Sequence, residues 1–257
     1  MKVVLLAGGK GTRIAEESIY RPKPMVEIGG MPILWHIMKT YSKYGYNEFI
    51  ICAGYKQEII KQWFNDYFTN SCDVTFDYTN DDYVVIHQRN IEKWKVTVVD
   101  TGIDTMTGGR VKRVKDYVGN GTFMLTYGDA VCDVKIDELV KFHHESGKIA
   151  TLTAVIQDQS KGVLNIDNLG AVRSFREKRP GDGTAINAGY MVLEPEVFNY
   201  LTDDNTILES IVLEKLANKG QLMSYVHHGF WQCMDSLREK DLLEKIWNSG
   251  KAPWKIW

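Results

Sequence analysis

Apolar residues in this chain fall into short unbroken runs, separated by stretches where they recur every three to four positions. Val3-Val4-Leu5-Leu6 is the first run, the pattern of a strand buried on both faces of a parallel sheet. Glu48-Phe49-Ile50-Ile51-Cys52-Ala53, ending at Gly54, predicts a second. Between them, Pro32 suits the first position of a helix running through Ile33, Trp35-His36, Met38 and Tyr41. Ile59-Ile60, Trp63-Phe64 and Tyr67-Phe68 mark one apolar face of another helix. Val74-Thr75-Phe76, Lys95 to Val99 and Thr122 to Tyr127 predict further strands. Pro22 and Pro24 predict extended backbone and argue against a helix between them.

From Ala150 the pattern becomes strand-rich, with Thr151 to Ile156 and Gly170 to Phe175 as runs. Helices are expected from about Leu208 to Asn218 and from about Ser236 to Trp247. Alternating strands and helices imply an α/β fold, a mostly parallel, Rossmann-like sheet flanked by helices, with a strand-rich second half. No linker, repeat or low-complexity segment divides residues 1–257, so one continuous domain is expected. Its second half would build a lid or substrate wall.

Composition narrows the class. Apolar residues make up 44% and charged residues 25%, with a net charge of −2, an ordinary globular balance without a nucleic-acid footprint. The short basic run Lys112-Arg113-Lys115 is interleaved with valines and reads as a solvated face. Four cysteines, at 52, 72, 132 and 233, lack metal-type spacing and disulfide density, which points to reduced thiols in a cytoplasmic protein. No apolar stretch approaches the ~18–20 residues of a membrane span, and the chain enters its first strand with no signal-peptide pattern.

The candidate chemistry starts where the first strand stops, at Leu6-Ala7-Gly8-Gly9-Lys10-Gly11-Thr12-Arg13. Glycines beside two cations and a hydroxyl suit backbone N–H groups brought against an anion, because a Cβ would hold a phosphate off the main chain. Lys10 is followed by Gly11, so this is not a nucleotide-hydrolase loop; Ile14 stands where a dinucleotide loop needs a small residue. Gly128-Asp129 follows another strand, and ligands of open parallel sheets sit at such carboxyl ends. A carboxylate facing an anion site points to a hard cation between them; otherwise Asp129 is a turn or cap residue. Lys23, on its proline-stiffened segment, reads from spacing alone as a surface lysine, and Asp235 as the cap of the following helix or a second ligand. Adjacent His143-His144 and His227-His228 point apart and make poor joint ligands.

Together, Leu6 to Arg13 and Pro22-Lys23-Pro24-Met25 resemble the two N-terminal motifs of the sugar-phosphate nucleotidyltransferases. Within that family the chain most resembles the branch that joins CTP to glucose 1-phosphate, giving CDP-glucose for deoxysugar and surface-polysaccharide synthesis. Ile33 to Lys39, Val99 to Gly102, Met106 to Arg110 and Gly250 to Lys255 carry that likeness, which spans essentially the whole chain. It implies a nucleotide-binding half of about residues 1–135 and a sugar-phosphate and oligomerisation half of about 136–257.

The resemblance implies that Leu6 to Arg13 wrap the nucleotide phosphates, with Arg13 near the leaving pyrophosphate. Lys23 would neutralise charge at the reacting centre, and Thr105, Arg110 and Gly128 would help hold CTP. Asp129 and Asp235 would share Mg²⁺; Glu177, Lys178, Asn187 and Gly189 would hold the sugar phosphate. Catalysis would thus fall to Arg13, Lys23 and Asp129. A homo-oligomer is implied, a hexamer among its expected states, with no nucleic-acid or membrane partner. Ala130, Arg179, Cys233 and Ser160 to Val163 depart from the family pattern, mostly on the sugar side. The open alternatives are another base (UTP, dTTP or GTP), another sugar phosphate, or a non-catalytic nucleotide-sugar sensor.

Overall fold

Val3, Val4 and Leu5 are wholly buried, as a strand covered on both faces requires. The computed structural model describes residues 1–11, 14–79, 83–88, 91–157, 163–166, 171–176 and 183–257. Along the chain its strands begin with β1 (Val3–Leu6), β2 (Glu27–Ile28), β3 (Met31–Pro32), β4 (Glu48–Ala53) and β5 (Asp73–Asp77). They continue with β6 (Tyr83–Gln88), β7 (Lys95–Asp100), β8 (Phe123–Tyr127), β9 (Ala130–Cys132) and β10 (Ala150–Gln157). The last are β11 (Val163–Ile166), β12 (Val172–Arg176), β13 (Thr184–Leu193), β14 (Leu222–His227) and β15 (Trp231–Cys233).

Seven of these strands form the central sheet, in the order β14-β10-β13-β8-β1-β4-β7. The pairings β8–β1, β1–β4, β4–β7 and β10–β14 are parallel. Only β13 runs against its neighbours β8 and β10. The expected mostly parallel α/β architecture is therefore present, and one sheet takes strands from both halves of the chain. Successive side chains on β1 enter different cores. Val3 and Leu5 pack with Ile33, Ile37 and Tyr41, whereas Val4 and Leu6 pack with Val111, Phe198 and Val212.

Several local expectations change. Lys23–Met25 is a single 3₁₀ turn rather than extended chain. One short turn tolerates Pro24, because the N–H that proline lacks has no partner to lose at a helix start. Pro32 caps the Ile33–Lys43 helix instead of opening it. The Leu208–Asn218 segment starts as a π-helical turn, Leu208–Leu213, before the α-helix Glu214–Asn218. The strand predicted around Val74 lies outside the central sheet, in a hairpin with β6. Helices at Thr107–Arg113 and Ile136–Ser146 were not among the expected elements, although Ile136, Leu139, Val140 and His143 of the second follow a helical period.

The C-terminal aromatics pack inside the chain. Trp254 is fully buried, stacked on Phe230 at 5.3 Å, and its indole N–H donates to His36 Nδ1 at 3.4 Å. No helix among the described residues is long and apolar enough to cross a membrane.

Candidate active site

A cavity of about 430 Å³ opens where β1 and β8 end. The first loop contributes Leu6, Ala7, Gly8, Gly9 and Gly11 to its wall. Lys23 and Pro24 face them, and Gly128 and Asp129 come from the end of β8. Thr105, just before the Thr107–Arg113 helix, and Arg110, in its middle, also line the cavity. Register explains why the loop and the carboxylate meet: β1 and β8 are parallel neighbours, with Leu6 opposite Tyr127.

The glycines divide the work. A Cβ on Gly9 would meet no atom within 4 Å, so its backbone faces open space and can approach a ligand. Gly8 is small for another reason: a Cβ there would lie 2.1 Å from Arg110 Nη1. Gly11 holds a left-handed φ of +63° that a side chain would strain. A need to bring a ligand close to the main chain would therefore account for Gly9 and not for Gly8.

Arg110 is 5% exposed. Its Nη1 donates to Thr101 Oγ1 at 2.8 Å, the Gly102 carbonyl at 2.6 Å and the Ala53 carbonyl at 3.4 Å. These bonds fasten the turn after β7 beneath the glycine loop. Lys10 differs: it is exposed, pairs with Asp104 at 2.9 Å and lies outside the cavity wall.

The charged centre is a trio. Lys23 is 7% exposed, and its ammonium donates to Asp129 Oδ2 at 2.6 Å and Asp235 Oδ1 at 2.5 Å. Burial alone would lower the Lys23 pKa; the charges and hydrogen bonds of Asp129 and Asp235 outweigh it and hold the ammonium above its ordinary value. The two carboxylates meet because β9 and β15 pair antiparallel, Ala130 opposite Cys233, while Met234 N–H donates to the Asp129 carbonyl. Departures from the family pattern at Ala130 and Cys233 thus sit on this ribbon. The Cys233 thiol points at Asp235 Oδ2, 3.7 Å away.

The structure separates the two readings of Asp235. Ser236 caps the Leu237–Asn248 helix, its hydroxyl accepting from Glu239 N–H, while the Glu239 carboxylate accepts from Asp235 N–H. This capping box leaves the Asp235 carboxylate out of the cap, with Lys23 and the Cys233 thiol among its partners. Neither is Lys23 a surface lysine.

Of the residues expected to hold the sugar phosphate, Asn187 and Gly189 lie on β13 beside Tyr127, outside the cavity wall. Asn187 Oδ1 accepts from Gly189 N–H at 2.9 Å, and Gly189 packs against the Tyr127 ring. Thr12, Arg13, Glu177, Lys178, Arg179 and Ser160 to Gly162 fall outside the described residues. Five residues line the cavity without having been expected there from sequence: Pro24, Met106, Thr107, Tyr127 and Glu209. Thr107 and Tyr127 neighbour motif residues and could have been suspected; Glu209 carried no local signal.

The family described as "Nucleotidyl transferase" matches residues 2–238. The glucose-1-phosphate cytidylyltransferase of Salmonella typhimurium is 52% identical over 258 residues, covering all of both chains. A probable glucose-1-phosphate cytidylyltransferase of Bacillus subtilis is 43% identical over the same full span. Among solved structures, HddC of Yersinia pseudotuberculosis superposes with a TM-score of 0.70 at 24% identity, over 96% of this chain and 99% of its own. A UDP-glucose pyrophosphorylase bound to UDP-glucose also reaches 0.70, at 15% identity, over 97% and 98%. Those two likenesses speak to the fold.

Proposed function

The chain belongs to the nucleotidyl transferase family, and from that premise we propose that it joins CTP to glucose 1-phosphate, giving CDP-glucose and pyrophosphate. Full-length likeness at 52% identity to the Salmonella enzyme supports the choice of base and sugar. The anion-facing loop opposite a lysine-bridged carboxylate pair supports the reaction class.

No general base is needed. A sugar 1-phosphate has a second pKa near ~6 and is mostly dianionic at neutral pH. One of its oxygens forms a bond to the α-phosphorus of the triphosphate. The bond from that phosphorus to the β-phosphate oxygen breaks in line, and pyrophosphate leaves with the electron pair. The barrier is mainly repulsion between anions plus misalignment, so positioning and positive charge supply the catalysis. Backbone N–H groups of Gly8 to Gly11 cradle the triphosphate. Lys23 is held ready as a cation with little rotamer freedom to lose. Arg13 would neutralise the leaving group.

The donor set fits Mg²⁺. Asp129 and Asp235 offer carboxylate oxygens to one shared cation, now the Lys23 ammonium, at the cavity edge; Mg²⁺ characteristically binds through one or two carboxylates plus substrate phosphates. Bound there, it would supply charge to the reacting phosphate. We further propose a homo-oligomer; light scattering tests it, and a clean monomer overturns it.

The deciding experiment measures pyrophosphate release from glucose 1-phosphate with each of the four ribonucleoside triphosphates and dTTP, with and without Mg²⁺. Turnover confined to CTP and Mg²⁺ is expected. Preference for another triphosphate would reassign the base, and no turnover with any would overturn the reading.

A further inference from the structure

Glu209 is a carboxylate in the wall of a cavity otherwise suited to anions. No described cation lies within ion-pair distance of it, unlike Asp129 and Asp235, which share the Lys23 ammonium. Left negative, it opposes triphosphate entry, so its placement calls for a compensating role. A carboxylate can only accept hydrogen bonds, and its two oxygens take hydroxyls from opposite sides of the site. Oε1 accepts from the Tyr127 hydroxyl and Oε2 from Thr107 Oγ1 at 2.7 Å.

Those two hydroxyls belong to different working parts. Thr107 opens the helix that carries Arg110, directly after Thr105 and Met106. Its Oγ1 also accepts from Leu208 N–H at 2.9 Å. Backbone bonds from Met106 N–H to the Asp204 carbonyl (2.8 Å) and from Gly109 N–H to the Thr206 carbonyl (3.1 Å) press the two segments together. A Cβ on Gly109 would lie 2.6 Å from the Asp204 carbonyl oxygen. Tyr127 ends β8 two residues before Asp129, and its ring touches Gly189 on β13. Glu209 itself sits in the π-helical turn Leu208–Leu213, a rare element frequently found at functional sites.

We propose that Glu209 is a positioning residue for the transfer reaction, tying the nucleotide-side turn at residues 105–110 to the strand end that carries Asp129. It acts through Tyr127 and Thr107. Joining the two parts through one short side chain fixes the distance between the bound nucleotide and the carboxylate centre, and misplacements near 1 Å there cost on the order of 100-fold in rate.

This rests on the transferase reading, so wild-type turnover with CTP and glucose 1-phosphate is the control that tests that reading separately. The measurement is a double-mutant cycle of Glu209→Ala and Tyr127→Phe on kcat and KM, with thermal unfolding of each variant. We expect Glu209→Ala to lower kcat about 30-fold and Tyr127→Phe about 10-fold. The double variant should be no slower than Glu209→Ala alone. Glu209→Gln, whose amide oxygen still accepts from Tyr127, should recover to within about fivefold of wild type. If the chain turns over but the losses simply multiply, Glu209 does not act through Tyr127. A Glu209→Gln as slow as Glu209→Ala would instead make the charge itself essential. Unchanged kcat with only a lowered Tm would reduce Glu209 to a structural residue. Any of these three results overturns the proposal, and Thr107→Val repeats the test should Tyr127→Phe fail to fold.

Discussion

Both ends of the β9–β15 ribbon gather side chains of metal-ligating type, and they differ in what already holds those groups. At one end, Asp129 lines the cavity and shares the Lys23 ammonium with Asp235, which lies just outside the cavity wall. At the other, Cys132, Asp133 and His227 present ligand atoms within 4.8 Å of one another. Asp129 and Asp133 have similar side-chain exposure, 29% and 26%, so solvent access does not distinguish them. The partners do. Asp133 Oδ1 accepts from Phe230 N–H at 2.7 Å and lies 2.8 Å from His227 Nε2. A backbone N–H cannot withdraw without moving the strand, whereas an ammonium on a four-carbon stem can swing aside when another cation or a phosphate arrives. Burial also pushes the Cys132 thiol up to about 12, so it stays protonated at neutral pH, while the thiolate is the form that binds metal. The far end is a loop fastening, and under the proposed reaction the near end would be the loading site. Proximity of ligand-type residues does not tell them apart; the identity of their present partners does.

The contrast is easiest to break at the near end. Lys23→Ala and Asp129→Asn should each lower kcat by about 100-fold or more, with circular dichroism showing a folded protein. Near-normal turnover in either would remove the near end's claim to the chemistry. A middle-sized effect is expected at the far end, of the opposite kind. Asp133→Ala should cost about 1–3 kcal/mol of unfolding free energy in urea titrations, by orphaning the Phe230 N–H. Its kcat should stay within about twofold of wild type; a collapse of turnover without loss of stability would show that the ribbon's ends are not separate in function. The smallest effect sharpens the same point. In an Asp129→Asn, Asp235→Asn background, added Zn²⁺ should leave Tm within about 1 °C, because nothing remains that binds it tightly. A rise of several degrees that disappears in Cys132→Ser would turn the fastening into a metal site.

Much of the near end was legible before folding was considered. The run Val3 to Leu6 announced a central strand because helices cover both faces of the sheet, and unbroken apolar runs are what such burial demands. The glycine loop at its end was recognisable because the first loop of a parallel sheet opens at the carboxyl edge. Asp235 was not separable from a helix cap by pattern, because Asp and Ser are equally good caps; only the Ser236–Glu239 box in the folded chain decides between them. Lys23 looked like a surface lysine because spacing along one segment says nothing about carboxylates contributed by two others. Glu209 had no signature at all, lying in a segment whose helical period is broken by a π turn.

What the sequence determined by itself was therefore local and periodic: five of the seven strands of the central sheet, four helices, the face each apolar residue seeks, and a glycine-rich loop from Leu6 to Gly11 where the first strand ends. What only the tertiary structure decided was which distant residues meet. Asp129 reaches Asp235 because Ala130 stands opposite Cys233 across two antiparallel strands, and Glu209 reaches Tyr127 and Thr107 through a turn that packs against both. Hydrophobic periodicity records how a segment sits against the core. The register between segments far apart in sequence depends on the packing of the whole, and no local pattern carries it.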